Sequence, residues 1–97
     1  MNELLEEFAV SAFNQDYDLD FATSDEAVVA FVQRRPSRSM SGLIAEIDAL
    51  LSSALDDDQL DQLWERLGGN YDPRDDGLTY REWFAHVRDL LTQAKAD

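Results

Sequence analysis

The sequence has no cysteine and a single histidine, His86. The absence of cysteine excludes disulfide bonds and zinc–thiolate sites, and it is compatible with a reducing compartment. No apolar run approaches the roughly 18–20 residues that a membrane-spanning helix needs. The N-terminal stretch MNELLEEFAV contains acids but no lysine or arginine, so it lacks the basic start of a signal peptide. We therefore expect a soluble, cytoplasmic protein.

Residues that would support catalysis or metal binding are also scarce. One histidine cannot form a paired-histidine metal site, and no G-x-S-x-G elbow is present for a serine nucleophile. An EF-hand needs glycine at its sixth position and glutamate at its twelfth. Counting from Asp72, Gly77 is sixth but Trp83 is twelfth, and counting from Asp16 or Asp18 neither position fits. We expect no enzyme activity, no cofactor and no bound metal.

Positive charge is scarce, and negative charge dominates the chain. Twenty-one acids against eight bases give a net charge of −13 over 97 residues. A folded acidic domain repels nucleic acid and anionic membranes, so its natural partner is a basic molecule. With 44% hydrophobic residues the chain has enough core-forming side chains to fold. Acidity that serves solubility alone is the alternative interpretation.

The stretch from Met40 to Leu55 has the strongest helical pattern. Its apolar residues recur every three or four positions and lie on one stripe of a helix. These residues are Met40, Leu43, Ile44, Ile47, Leu50, Leu51 and Leu55. A helix with such an apolar face has to be covered by other helices, so we predict that the other segments pack on it.

Two more helices are predicted on each side of this stretch. The capping-box pattern T-x-x-E at Thr23 and Thr79 opens two of them. Pro36 ends the second helix and leaves residues 37–39 as a connector, while Gly68-Gly69 ends the fourth. The predicted ranges are 2–13, 24–35, 57–67 and 79–94. We predict an all-α, single-domain bundle of about five helices spanning residues 1–97.

Trp64, Trp83 and Tyr80 are the large aromatic residues of the two C-terminal helices. We predict that they anchor the core and loops, because a platform for stacking nucleobases would carry more positive charge. His86 lies between two apolar residues, and we predict a position at the edge of the packed face.

The acids form three clusters, at residues 16–20, 56–61 and 72–76. Residues 1–33 contain eight acids and no lysine or arginine. If the first cluster lies beside either later cluster, the domain presents one strongly negative face. Tyr17 adds a residue type that is favoured at interface hot spots. The candidate partner-binding residues are Asp16, Tyr17, Asp18, Asp20, Asp57, Asp58, Asp61, Asp72, Asp75 and Asp76.

Four segments occur in an order that points to a known family. They are FNQDYDL at 13–19, EIDALL at 46–51, LG at 67–68 and YREWF at 80–84. Together they resemble the small all-helical bacterial immunity proteins of contact-dependent growth inhibition systems, over about residues 4–91. Asn14 and Tyr17 stand where that family often has histidine and tryptophan, and Phe84 stands where it usually has leucine. These departures leave the identity of the toxin open.

The resemblance implies a non-catalytic protein that binds one toxin domain, delivered by a neighbouring cell, and neutralises it in the cytoplasm. Such proteins commonly cover a nuclease active site. A nuclease holds a polyanion, so an acidic inhibitor can occupy its basic cleft, and long-range attraction then speeds association. We expect a one-to-one complex and a monomer when free. The alternatives are a general acidic adaptor or nucleic-acid mimic with several basic partners, and an enzyme that combines His86 with carboxylates.

Overall fold

The described part of the chain contains five helices and one turn of 3-10 helix. A computed structural model describes residues 3–13, 21–34 and 37–96, with residues 37–39 and 94–96 described by their backbone alone. The elements are α1 (Glu3–Ala12), α2 (Ser24–Gln33), α3 (Ser37–Ser52), α4 (Asp57–Arg66), the 3-10 turn (Pro73–Asp76) and α5 (Tyr80–Ala96). The predicted all-α class is confirmed, and no strand occurs within these residues. None of the described helices combines the length and apolar character needed to cross a bilayer.

Side-chain caps determine where three helices begin. Thr79 and Glu82 each accept a hydrogen bond from the other's backbone N–H, at 3.1 and 3.0 Å, directly before α5. Asp56 and Gln59 form the same reciprocal pair before α4, at 2.8 and 2.9 Å. Thr23 caps α2. The starts predicted from the two T-x-x-E patterns are confirmed, because a cap satisfies N–H groups that have no partner inside the helix.

Helix α3 differs from the prediction at both ends. It begins at Ser37 instead of Met40, because residues 37–39 contain no glycine or proline and form its first turn. The predicted connector is therefore wrong. The helix ends at Ser52, three residues before Leu55. The Ser53 hydroxyl donates to the Leu50 carbonyl at 2.5 Å, and such local side-chain bonds compete with helical backbone bonds.

Arg81 of α5 caps the C-terminal end of α3. Its guanidinium donates hydrogen bonds to the carbonyl oxygens of Leu51, Ser53 and Leu55, at 2.7, 2.6 and 2.8 Å. Carbonyl groups at a helix end lack intrahelical partners, and the negative end of the helix dipole favours a cation. One arginine therefore joins the two longest helices and fixes the irregular segment that follows α3.

An aromatic cluster fills the core between α1, α4 and α5. The rings of Trp64 and Trp83 meet edge to face with centroids 5.1 Å apart, and Phe13 lies 5.7 and 5.3 Å from them. Trp64, Trp83 and Tyr80 are at most 1% exposed, so their predicted core positions are confirmed. Edge-to-face geometry adds to the free energy gained by burial.

Helix α5 has the widest set of neighbours, packing against α2, α3, α4 and the 3-10 turn. The apolar stripe predicted on α3 is buried or partly buried, but it faces mainly α1 and α5. The central helix is thus α5 instead of α3, because Trp83 and Phe84 present large side chains to several elements at once.

Hydrogen bonds fix both ends of α1. At its start, the Glu46 carboxylate accepts the backbone N–H groups of Leu4 and Leu5, at 3.2 and 3.0 Å. After its end, the Phe13 carbonyl accepts both the backbone N–H and the side-chain amide of Asn70, at 3.0 and 3.2 Å. The end of α1 therefore lies beside the loop that follows α4.

We predict that Arg81→Ala destabilises the fold. The substitution removes a charged donor from three carbonyl groups, and hydrogen bonds to charged groups contribute about 1.5–3 kcal/mol. We expect the free energy of unfolding to fall by about that amount in urea denaturation followed by circular dichroism. Arg66→Ala, which removes the same charge from the exposed side of α4, should change it by less than about 0.5 kcal/mol. Equal stability of the two variants would contradict the capping role.

Candidate acidic binding site

The second and third acidic clusters meet because the chain reverses direction after α4. Gly68 adopts a left-handed conformation with φ of 98°, which favours glycine. At Gly69 a side-chain Cβ would overlap the indole of Trp64, so the backbone can pass over that ring only as glycine. The indole N–H of Trp64 then donates to the Tyr71 carbonyl at 3.0 Å. These contacts turn residues 70–77 back towards α4.

Arg74 lies where the two clusters meet. Its guanidinium bonds Asp72 through two nitrogens, with Nε–Oδ1 and Nη2–Oδ2 distances of 3.0 and 3.1 Å. The same side chain lies 3.2 Å from Asp61, 3.6 Å from Asp58 and 3.9 Å from Asp57. We call Arg74 and these four aspartates the Arg74 cluster. It joins the start of α4 to the 3-10 turn.

Tyr80 supports the Arg74 cluster from the core. Its hydroxyl donates to Asp61 at 2.7 Å, and its backbone N–H donates to Asp57 at 2.6 Å. The Arg74 guanidinium carbon lies 5.4 Å from the centre of the Tyr80 ring, within the range of a cation–π contact. A residue that is 1% exposed thus fixes both an arginine and two carboxylates of the surface.

These contacts shift three pKa values. Burial, and then the hydrogen bond to Asp61, raise the pKa of Tyr80 well above its ordinary 10.0. The hydrogen bond from the Arg74 side chain lowers the pKa of Asp72, with burial opposing it, and the same bond raises the pKa of Arg74. At neutral pH, Asp72 is therefore ionised and Tyr80 remains a neutral hydrogen-bond donor.

A surface pocket of about 290 Å³ opens beside the Arg74 cluster. Its lining is formed by Asp61, Glu65, Gly68, Gly69, Asn70, Tyr71, Asp72 and Tyr80. Carboxylates and tyrosine rings together suit a cationic side chain, which gains charge contacts at its head and apolar contact along its stem. In the part of the chain that is described, no group of three or more acidic or histidine side chains is arranged to hold a metal ion.

The structure brings together several of the predicted binding residues. Asp57, Asp58, Asp61 and Asp72 belong to the Arg74 cluster. Asp76 accepts a hydrogen bond from the Tyr71 hydroxyl at 2.5 Å, and Asp75 is exposed beside it. We call the Arg74 cluster, the pocket, Asp75 and Asp76 the acidic surface. The bonds show how these aspartates are placed, and their role in binding stays a prediction.

The first acidic cluster lies outside the described residues, so the prediction for it is untested. Its predicted residues are Asp16, Tyr17, Asp18 and Asp20. Phe13, which directly precedes residues 14–20, is bonded to Asn70, two positions before Asp72. Phe13, the last described residue before the first cluster, therefore lies beside the loop that carries Asp72.

Several residues that organise this site were not predicted from the sequence, above all Arg74 and the pocket residues Glu65, Asn70 and Tyr71. Arg74 did carry a signal, since it is the one base within residues 72–76. Its long-range partners on α4 could not be read from spacing, because they depend on how the loop turns back.

His86 lies apart from the acidic surface. Its Nε2 is 2.8 Å from the Asp25 carboxylate of α2, and both side chains are about half exposed. The predicted position at the edge of the packed face agrees with this geometry. An enzyme would need His86 in a cleft with carboxylates, whereas this pair joins two helices at the surface.

Comparisons with known proteins identify relatives of this chain. A family model described as CdiI immunity protein matches residues 2–91. A chain in the crystal structure of the CdiA-CT/CdiI complex from Y. kristensenii 33638 superposes with a TM-score of 0.84 at 27% sequence identity. That match covers 91% of this chain and 95% of the other. No curated protein matches.

We predict that Tyr80 stays protonated at pH values at which a free tyrosine ionises. Its raised pKa means that its contribution to stability is complete below pH ~10 and is lost as pH rises towards the folded-state pKa. Alkaline titration of phenolate absorbance should give equal amplitudes for folded wild type and Tyr80→Phe. In denaturant the wild type should show one more ionising tyrosine. A smaller amplitude for the folded variant would contradict the prediction.

Proposed function

The chain belongs to the CdiI immunity protein family, and on that premise we propose that it neutralises its cognate toxin through the acidic surface. Its match to a chain of a CdiA-CT/CdiI complex supports a CdiA-CT domain as the partner. In this proposal the acidic surface contacts a basic region of the toxin in a one-to-one complex. The bound protein then excludes the toxin's substrate, and it has no catalytic role of its own.

Charge supports this choice of surface. Residues 56–76 contain seven aspartates and one glutamate against two arginines, within a chain of net charge −13. Complementary charge accelerates the encounter between partners and disfavours incorrect ones. A protein partner of this surface should therefore be basic.

The observation that carries the proposal is the meeting of two separate acidic segments at one pocket. Asp57, Asp58 and Asp61 come from α4, and Asp72 comes from a loop about ten residues further along the chain. Repulsion between ionised carboxylates would by itself keep two acidic segments apart. Here the fold holds them together beside a pocket with two tyrosine rings.

We infer that the toxin is a nuclease that acts in the cytoplasm. An enzyme that binds RNA or DNA needs a basic cleft to hold phosphate groups, and an acidic surface can occupy that cleft in place of the substrate. The free protein is proposed to be a monomer, since its high negative charge opposes self-association.

The test reverses charge at two aspartates of the acidic surface. Asp58 is 85% exposed and Asp75 is also exposed, so Asp58→Lys/Asp75→Lys should leave the core intact. The matched control, Glu6→Lys/Asp89→Lys, makes the same change in net charge at exposed positions on α1 and α5. An immunity gene is expected to follow the gene of its toxin directly, so calorimetry should use the toxin domain expected there, at low and moderate salt.

We expect Asp58→Lys/Asp75→Lys to weaken toxin binding by at least about 100-fold, because like charges that meet at an interface cost several kcal/mol. The control should change affinity by less than about tenfold, through long-range attraction alone. Protection of RNA and DNA from the toxin should fall in parallel. Equal affinities for the two double variants would contradict the proposed surface.

A screen against unrelated basic nucleases completes the test. A cognate inhibitor should leave them unbound and active, because its pocket and its charge arrangement fit one partner. Comparable binding to several of them would instead support a general acidic adaptor or nucleic-acid mimic.

A further inference from the structure

Arg74 places a positive charge in the middle of the acidic surface. Its side chain is 42% exposed and contacts carboxylates from two segments of the chain, α4 and the loop before the 3-10 turn. Without this charge, four aspartates would face one another with no base between them. Like charges at such short separation repel, and their side chains move apart into solvent.

The geometry of the guanidinium gives it more than a neutralising charge. Its planar fork bonds Asp72 at both carboxylate oxygens and also reaches Asp61, and the Tyr80 ring lies 5.4 Å from its central carbon. Arginine holds two oxygens in one plane, which a lysine ammonium cannot do. Asp61 is also held by the Tyr80 hydroxyl at 2.7 Å. Arg74 therefore fixes the direction of carboxylates as well as their spacing.

Fixed side chains lose less conformational entropy when a partner binds. We propose that Arg74 is a positioning residue for toxin binding, holding the aspartates of its cluster in the arrangement that the toxin's basic groups meet. The inference rests on the proposed function. It names the residue that gives the acidic surface its shape, even though its own charge repels a basic partner.

A positioning role and net charge alone predict opposite effects of removing Arg74 on toxin affinity. If only net charge mattered, removing Arg74 would make the protein more acidic and would strengthen binding to a basic toxin. If Arg74 positions the carboxylates, its removal should weaken the complex by speeding dissociation. Long-range attraction acts mainly on the association rate, whereas the quality of close contacts acts mainly on the dissociation rate.

The experiment compares Arg74→Ala, Arg74→Lys and Arg66→Ala with wild type. It measures their association and dissociation rates on the cognate toxin domain immobilised on a sensor surface. Arg66 is an exposed residue of α4, so Arg66→Ala gives the same charge change without affecting the Arg74 cluster. Both alanine variants should associate as fast as wild type or faster. Only Arg74→Ala should dissociate faster, by about tenfold or more. Arg74→Lys should lie between Arg74→Ala and wild type.

The dissociation rate distinguishes a positioning role of Arg74 from a loss of folded protein. Partial unfolding of a variant lowers the amplitude of binding, whereas the dissociation rate is measured only on complexes that have formed. Melting temperatures of all variants allow the rates to be compared well below unfolding.

If wild type binds and Arg74→Ala dissociates no faster than Arg66→Ala, the positioning role is wrong and the proposed function survives. If Arg74→Lys dissociates at the wild-type rate, the positioning role is also wrong, because a positive charge without the planar fork would then suffice. Absence of binding by the wild-type chain would overturn both the inference and the proposed function.

Discussion

The packing of Trp64 against Trp83 is the contact on which the rest of the structure depends. It joins α4 to α5 in the core, and Phe13 closes the same cluster from the end of α1. The indole of Trp64 also determines the course of the next loop, because Gly69 passes over the ring and the Tyr71 carbonyl accepts its N–H. A buried aromatic pair thereby controls the direction of a surface loop.

The acidic surface follows from that loop direction. Once residues 70–77 run back along α4, Asp72 and Arg74 come within reach of Asp61, and Tyr80 joins them from the core. Apolar burial, which is non-directional, stabilises the fold. Hydrogen bonds, which are directional, act together with charges to shape the surface above it. This division of roles allows charged side chains to be arranged at the surface without disturbing the apolar core.

Local signals account for the features that the sequence predicted well. The T-x-x-E patterns, the apolar spacing of α3 and the glycines after α4 act within a few residues, and the structure agrees with them. The early end of α3 has a local cause, the bond from the Ser53 hydroxyl, and a non-local one, since Arg81 of α5 satisfies the carbonyls of residues 51, 53 and 55. The Arg74 cluster was missed for the same reason. Its members come from segments whose meeting depends on the packing of Trp64, which no spacing in the chain records.

Hydrogen exchange of the protein with and without its toxin would test most directly whether the acidic surface is the binding surface. We predict that toxin slows exchange at residues 57–61 and 70–77, with little change at the exposed positions Ser41, Ala45 and Ala49 of α3. Protection centred on that exposed side of α3, with exchange at 57–61 and 70–77 unchanged, would contradict it.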